Sequence, residues 1–229
     1  MKTEKHTTKH KRMRSPAFSL VELMTVVSIM AILTAVASPG LKIAMINAQQ
    51  NAAMGNARSI AMGLRTYAQD YEGAFPGFET DEGETISTSN DAFRLLLPDY
   101  IDSERVFAVK RSAWGKKADG RIDEPEDRLR AGENHFAYIA GLLDTSRTDW
   151  PLVVDGTDGS GKYTSTNGVK GGCWEGRKGI VVTVGGSGHV YRMSGDGDSR
   201  FIPRYGYPDE NALDVGSYMG EIAQLLDPE

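Results

Sequence analysis

One carboxylate, Glu22, is the single charged residue in a run of twenty, residues 18–37, whose other members are apolar or carry a small hydroxyl. Twenty helical residues span about 30 Å, the thickness of a bilayer hydrocarbon core. An acidic side chain near the start of such a run costs on the order of 2–3 kcal/mol unless a cation pairs with it. A carboxylate in that setting is functional by default, and an ion pair formed there is far stronger than one on a wet surface. The remaining residues that could do chemistry are scattered. His189 follows the turn-like Gly185-Gly186-Ser187-Gly188 and could act as a base or a metal ligand, but no Ser, Cys or carboxylate stands at a recognisable spacing from it. It reads as structural, hydrogen-bonded beside the turn. Asp196 and Asp198 offer oxygen ligands two residues apart, as calcium loops do, without the twelve-residue spacing to a terminal Glu. Asp155-Gly156-Thr157-Asp158-Gly159 is a weaker loop of the same kind, and the glycines of residues 168–172 lack the strand-to-helix setting of a phosphate-binding loop. Cys173 is solitary, which excludes an internal disulfide. Trp114, Trp150 and Trp174 read as core or loop packing rather than a ligand platform. No catalytic set emerges. The expectation is a protein that is not an enzyme and has no resident cofactor, with calcium at Asp196 and Asp198 the one option.

The elements that position Glu22 are plain in the charge pattern. Residues 1–17 carry Lys2, Lys5, Lys9, Lys11, Arg12 and Arg14 against Glu4 alone, so the net charge of −5 conceals a basic leader and an acidic remainder. An acidic remainder is a poor nucleic-acid binder, because phosphate contacts need clustered Lys and Arg. A basic flank before an apolar run stays cytoplasmic by the positive-inside rule, so the chain beyond the run is exported. Three readings of the run are open: a secretory signal cut after Ala37 at Ala35-Val36-Ala37, a plain single-pass anchor, and a third that gives Glu22 a partner.

Beyond the run, Pro39 removes one backbone donor and predicts a kink or loosened turn over residues 35–40. Ala53, Ala57, Ile60, Leu64, Tyr67 and Tyr71 then recur at spacings of three and four, an apolar stripe on one helical face, opposite Gln49, Gln50, Asn51, Asn56, Arg58, Arg65 and Gln69. Gly73 and Pro76 end this helix. Residues 79–90 read as a surface loop, and residues 91–97 as a short helix capped by Asn90 or Asp91 and stopped by Pro98. Residues 110–130, charged and poorly patterned, read as a mobile excursion. Strand patterns occur at residues 136–142, 152–154, 180–184 and 189–193, the last two flanking a hairpin turn. Residues 209–226 read as a closing helix. The fold class is α+β: a long N-terminal helix whose second half packs on a C-terminal antiparallel sheet.

The run Ala17-Phe18-Ser19-Leu20-Val21-Glu22-Leu23 resembles the cleavage and methylation motif shared by type IV pilins and type II secretion pseudopilins. The resemblance implies that a membrane prepilin peptidase cuts between Ala17 and Phe18, that Phe18 becomes the N-methylated first residue, and that Glu22 is the acidic fifth residue. Ala17 departs from the usual glycine. Pro39 falls where the family often has a helix-loosening proline. The implied division is a leader at 1–17, a transmembrane assembly helix at 18–38, its amphipathic continuation at 39–72 and a pilin-like globular domain at 73–229. Tyr67-Ala68-Gln69-Asp70, Phe75-Pro76 and Gly188-His189-Val190 are similar to a group of bacterial pseudopilin-like proteins, and a calcium site near the C-terminal loop is a feature of the major type II pseudopilins. The resemblance further implies a single-pass protein of the bacterial inner membrane, N-terminus cytoplasmic and C-terminal domain outside. Its partners would be the peptidase, membrane lipid, an inner-membrane assembly platform, and copies of itself and other pilin-like subunits in a type II secretion or type IV pilus-like filament. A secreted or anchored binding domain cut after Ala37 stays open as the alternative.

Overall fold

The computed structural model describes residues 19–229. Helix α1 (Leu20–Asp70) is followed by the six-residue helix α2 (Ser89–Arg94) and by seven strands: β1 (Phe136–Ala140), β2 (Pro151–Asp155), β3 (Lys178–Thr183), β4 (Gly188–Arg192), β5 (Pro203–Arg204), β6 (Tyr207–Asn211) and β7 (Gln224–Leu226). The chain divides into two compact units at residues 46/47, with α1 contributing to each. In the larger unit five strands form an antiparallel sheet in the order β4-β3-β2-β1-β7, and β5 and β6 form a separate ribbon. This is the α+β, pilin-like arrangement expected.

Every residue of β1 and β2 is buried, and all of β3 after Lys178. Because successive strand residues point to opposite faces, both faces of the central sheet are covered. One set of covering residues comes from the apolar stripe of α1: Ala53, Ala57, Ile60, Leu64 and Tyr67 are buried together with Met54, Ala61 and Ala68. Tyr71, last in the stripe, is 38% exposed and stacks on Tyr67 at a centroid distance of 4.0 Å. The polar face holds with one exception. Gln50 is buried, and its Oε1 accepts a hydrogen bond from Lys178 Nζ. α1 ends as its sequence dictates. Gly73 takes a left-handed φ of +86°, and its N–H reaches back to Ala68 O at 2.7 Å, closing the orphan carbonyls of the last turn.

The hairpin expected between β3 and β4 is present, Gly186 supplying a φ of +81° and the pairing running from Val182↔Gly188 to Lys178↔Arg192. Gly188 is there for a second reason. A Cβ at that position would overlap Met54 Sδ and meet Arg58 Nε at 2.7 Å, so its bareness lets the sheet edge touch α1.

Several sequence-based expectations are corrected. The short helix begins at Ser89 and is capped by Thr88, not Asn90 or Asp91. Thr88 Oγ1 accepts the Asp91 N–H, while Asp91 Oδ2 accepts the Thr88 N–H at 2.9 Å, a reciprocal capping box that demotes Asp91 to the third helical position. Residues 110–130 are irregular but pinned. The buried Glu104 carboxylate accepts the N–H groups of Leu129 and Gly120, and the buried Glu133 carboxylate those of Asp119 and Arg130. No closing helix spans residues 209–226. β6, a 3-10 turn at Val215–Ser217 and β7 occupy that stretch. Gly220 takes a left-handed φ of +108° that breaks helical continuity, and Leu225 and Leu226 pair with Ile139 and Tyr138 to cover the open edge of β1.

If the stripe of α1 holds this core together, Leu64→Ala, at a site with no exposure, lowers unfolding free energy by about 2–5 kcal/mol. Met62→Ala, on the 68% exposed opposite face, stays within about 0.5 kcal/mol. Denaturant titration of the two variants separates these outcomes, and equal losses would refute the docking.

Candidate assembly site

α1 opens with a local device around the lone carboxylate. Ser19 stands just before the helix, its carbonyl accepts the Leu23 N–H at 3.2 Å, and its own N–H donates to Glu22 Oε2 at 3.0 Å. Glu22 thus satisfies a donor that the helix start would otherwise leave bare, and it places a negative charge at the positive end of the helix dipole. One carboxylate oxygen is held in a fixed direction by a group three residues away.

The run behind Glu22 is made apolar by more than its side-chain list. Thr25 Oγ1 donates to Glu22 O at 2.9 Å, Ser28 Oγ to Met24 O at 2.8 Å and Thr34 Oγ1 to Met30 O at 2.8 Å. Each hydroxyl is folded back onto the helix, so the outward surface presents methyl and methylene groups. Leu20, Val21, Leu23, Met24, Ile29, Met30, Ile32, Leu33 and Val36 are all exposed, as are Leu41, Ile43 and Met45. A surface of that extent is not stable against water unless something apolar covers it. The segment is long and apolar enough to cross a membrane. The helix runs through Pro39 without a break. Ala17 and Phe18 lie outside the described residues.

The other sequence candidates lie on separate loops and strands of the larger unit. His189 is exposed on β4, opposite Val181 in the pairing, with its ring 6.0 Å from that of Tyr191; it makes no hydrogen bond beside the turn, contrary to expectation. Asp196 and Asp198 are exposed. The Asp198 carboxylate accepts from the Thr164 hydroxyl, and Asp196 contributes its carbonyl to the Ser199 N–H, so the pair acts as a turn. Cys173 is buried and its thiol pushed up well above the usual range by that burial. Trp174 is buried, Trp150 half-buried against the core, and Trp114 half-buried beside His135.

Two buried carboxylate arrangements escaped sequence reasoning, because their partners come from distant segments. Glu104, Asp119 and Glu133 converge, with oxygens within 4.8 Å of one another, yet backbone N–H groups occupy them. Asp155 ends β2 fully buried. Its Oδ2 accepts the Ile180 N–H at 2.6 Å and the Trp174 Nε1–H at 2.9 Å, while Oδ1 has no partner. Burial pushes its carboxyl up to about 7 against these two bonds, which pull the other way.

With this geometry in place, comparison with known proteins is specific about one segment. Residues 12–38 match the prokaryotic N-terminal methylation motif. Residues 12–38 therefore carry the prepilin-type signature found in type IV pilins and pseudopilins. Proteins with this motif are structural subunits, processed by prepilin peptidase and assembled with other pilin-like subunits. No curated protein and no solved structure matches the chain.

Asp155 gives the larger unit a pH dependence with a definite sign. The native carboxyl stays protonated up to about pH 7, whereas in the unfolded chain it ionises near 4. Between those values the native state holds the extra proton, so stability is fully present below about pH 4 and is lost as pH rises through 7. Asp155→Asn should flatten this part of the curve of melting temperature against pH, followed by tryptophan fluorescence. Asp227 and Glu104, also raised by burial, leave a residual slope of the same sign. A variant curve parallel to that of the native chain would refute the assignment.

Proposed function

We propose that this protein is a filament subunit of a type II secretion or type IV pilus-like system, cut between Ala17 and Phe18, N-methylated on Phe18 and assembled through α1. The observation that carries the reading is the methylation motif at residues 12–38 overlapping a helix whose first half exposes mostly apolar side chains around the single carboxylate Glu22. Before cutting, the basic leader holds the N-terminus in the cytoplasm, and the chain crosses the inner membrane once with residues 47–229 outside. Cutting converts a charged leader into a single α-ammonium on Phe18, four residues from Glu22. In a neighbouring copy that ammonium is the cation the buried carboxylate needs.

Such a pair fixes both register and partner. In hydrocarbon an unpaired Glu22 is penalised in every stagger except the one that brings an N-terminus to it. The Ser19 N–H bond aims one oxygen, and the second is the one available to the incoming ammonium. Head-to-tail contacts of this kind do not close on themselves and so propagate as filaments. The partners are copies of this chain and other pilin-like subunits, together with prepilin peptidase, the inner-membrane assembly platform and the surrounding lipid.

Mass spectrometry of the mature N-terminus tests the cut. A chain beginning at N-methyl-Phe18 is expected, and Ala17→Gly should process at least as fast. A mature chain beginning at Ser38 would instead establish signal-peptidase cleavage after Ala37 and sink the proposal. Glu22→Ala tests the pairing, with cleavage largely retained and filament incorporation lost by at least about tenfold. Normal incorporation of that variant would remove Glu22 from the assembly step.

A further inference from the structure

A cavity of about 580 Å³ in the larger unit lies between α1 and residues 105–118. Arg105, Lys110, Lys116 and Lys117 line it, and no carboxylate does. All four are exposed, and none forms an ion pair among the described residues. The stretch is unlike the chain that holds it. Residues 105–117 contain five Lys and Arg and no Asp or Glu, in a chain of net charge −5. The fifth cation, Arg111, is engaged by Glu175. The carboxylates nearest in sequence have partners of their own: Glu104 accepts from Gly120 and Leu129, Asp119 pairs with Arg130, and Glu133 accepts from Asp119 and Arg130. His135 also lines the cavity, but burial pushes its pKa down, so it is neutral at pH 7 and adds no charge. Like charges gathered without counter-ions repel one another, and a bound anion removes that repulsion.

The backbone that carries these cations is tied in place. Asn56 Nδ2 donates to Ala108 O at 3.0 Å, the His135 N–H to Phe107 O at 2.9 Å and the Lys116 N–H to Gly132 O at 2.7 Å. Two features narrow the anion. Ala52 is exposed and Ala108 half-buried in the cavity wall, and the lysine stems add methylene groups beside them. A small hydrated anion leaves that surface wet, whereas an anion that carries hydrocarbon covers it. The second feature is position along the chain. Gln49, which opens the lining on α1, is four residues past the exposed Met45. Four residues reach at most about 14 Å even when fully extended. A bilayer that covers the apolar run therefore brings its headgroups to this part of the chain, and each cation near such a surface strengthens the hold on anionic lipid by about fivefold.

We propose that this cavity holds the headgroup of an anionic phospholipid, its phosphate among Arg105, Lys110, Lys116 and Lys117 and the first methylenes of its chains against Ala52 and Ala108. The proposal rests on the reading that α1 spans a membrane.

The test uses the full chain in a non-ionic, phosphate-free detergent, titrated with phosphatidylglycerol or phosphatidylcholine, with bound lipid counted by native mass spectrometry. A saturable phosphatidylglycerol adduct is expected, with phosphatidylcholine at least about tenfold weaker. Lys116→Gln/Lys117→Gln should weaken the adduct at least about tenfold. Lys162→Gln/Arg192→Gln, which removes the same charge from exposed positions outside the cavity, should change it less than about twofold. Melting followed by tryptophan fluorescence separates loss of the site from loss of the fold. Three results would overturn the proposal: equal binding of the two lipids, equal losses in the two double variants, or displacement of the lipid by an equal concentration of glycerol 3-phosphate, which would assign the cavity to a soluble phosphate ester. Alkaline carbonate extraction from phosphatidylcholine vesicles reads the span by itself. A chain released there refutes the span and the lipid with it, whereas a retained chain without lipid preference refutes the cavity alone.

Discussion

A helix that satisfies its own backbone can live in any medium, and the whole chain is arranged around that property of α1. Over fifty-one residues the N–H and C=O groups are spent internally, so only the side chains decide what surrounds each part. From Leu20 to Val36 they are exposed and, Glu22 apart, mostly apolar, and the hydroxyls of Thr25, Ser28 and Thr34 are turned back onto carbonyls about one turn away. From Ala53 to Ala68 the pattern contracts to a stripe, and that stripe is buried. The two halves ask for different neighbours while sharing one backbone. Stability of the larger unit accordingly rests on the second half, which removes its apolar stripe from water, and the exposed first half adds nothing to it.

Docking that second half imposes conditions elsewhere in the sequence. The start of β4 can approach α1 only because residue 188 has no side chain, and Arg58 then bonds the carbonyl of the same glycine. Gly63 does the reciprocal service on the helix, where a Cβ would meet Ile101 at 2.8 Å. Close approach of this kind leaves small tolerance for added volume. The glycine-rich turn therefore serves packing as much as chain reversal, which is why His189 beside it points outward and plays no part in the turn.

What could be read from the sequence was what is encoded locally. The apolar run, its single carboxylate, the stripe and the four β-patterned segments each announce themselves within a dozen residues, and all are present. The misreadings share a different cause. Residues 209–226 carry enough apolar side chains for a helix, but the unpaired edge of β1, some eighty residues earlier, recruits Leu225 and Leu226 into a strand. Residues 110–130 look loose because the groups that hold them, Glu104 and Glu133, lie at or beyond the segment's ends. Gln50 reads as polar surface until Lys178, far along the chain, is seen to meet it. The carboxylate of Asp155 looked like a turn residue and is a buried acceptor for β3. In each case a long-range partner overrode a local preference.

The same distinction separates the methylation motif from the rest of the chain. The methylation motif occupies contiguous residues, and the side-chain bonds among its described residues reach only three or four positions, so it places no demand on the fold that follows. Nothing in residues 12–38 constrains which sheet, loops or grooves come after residue 70. Individuality must therefore reside in the larger unit, where aromatic side chains from three separate segments are brought to one concavity by strand pairing alone. A motif read locally leaves the larger unit free to differ from one chain to another, because a fold and the chemistry carried on it are separable.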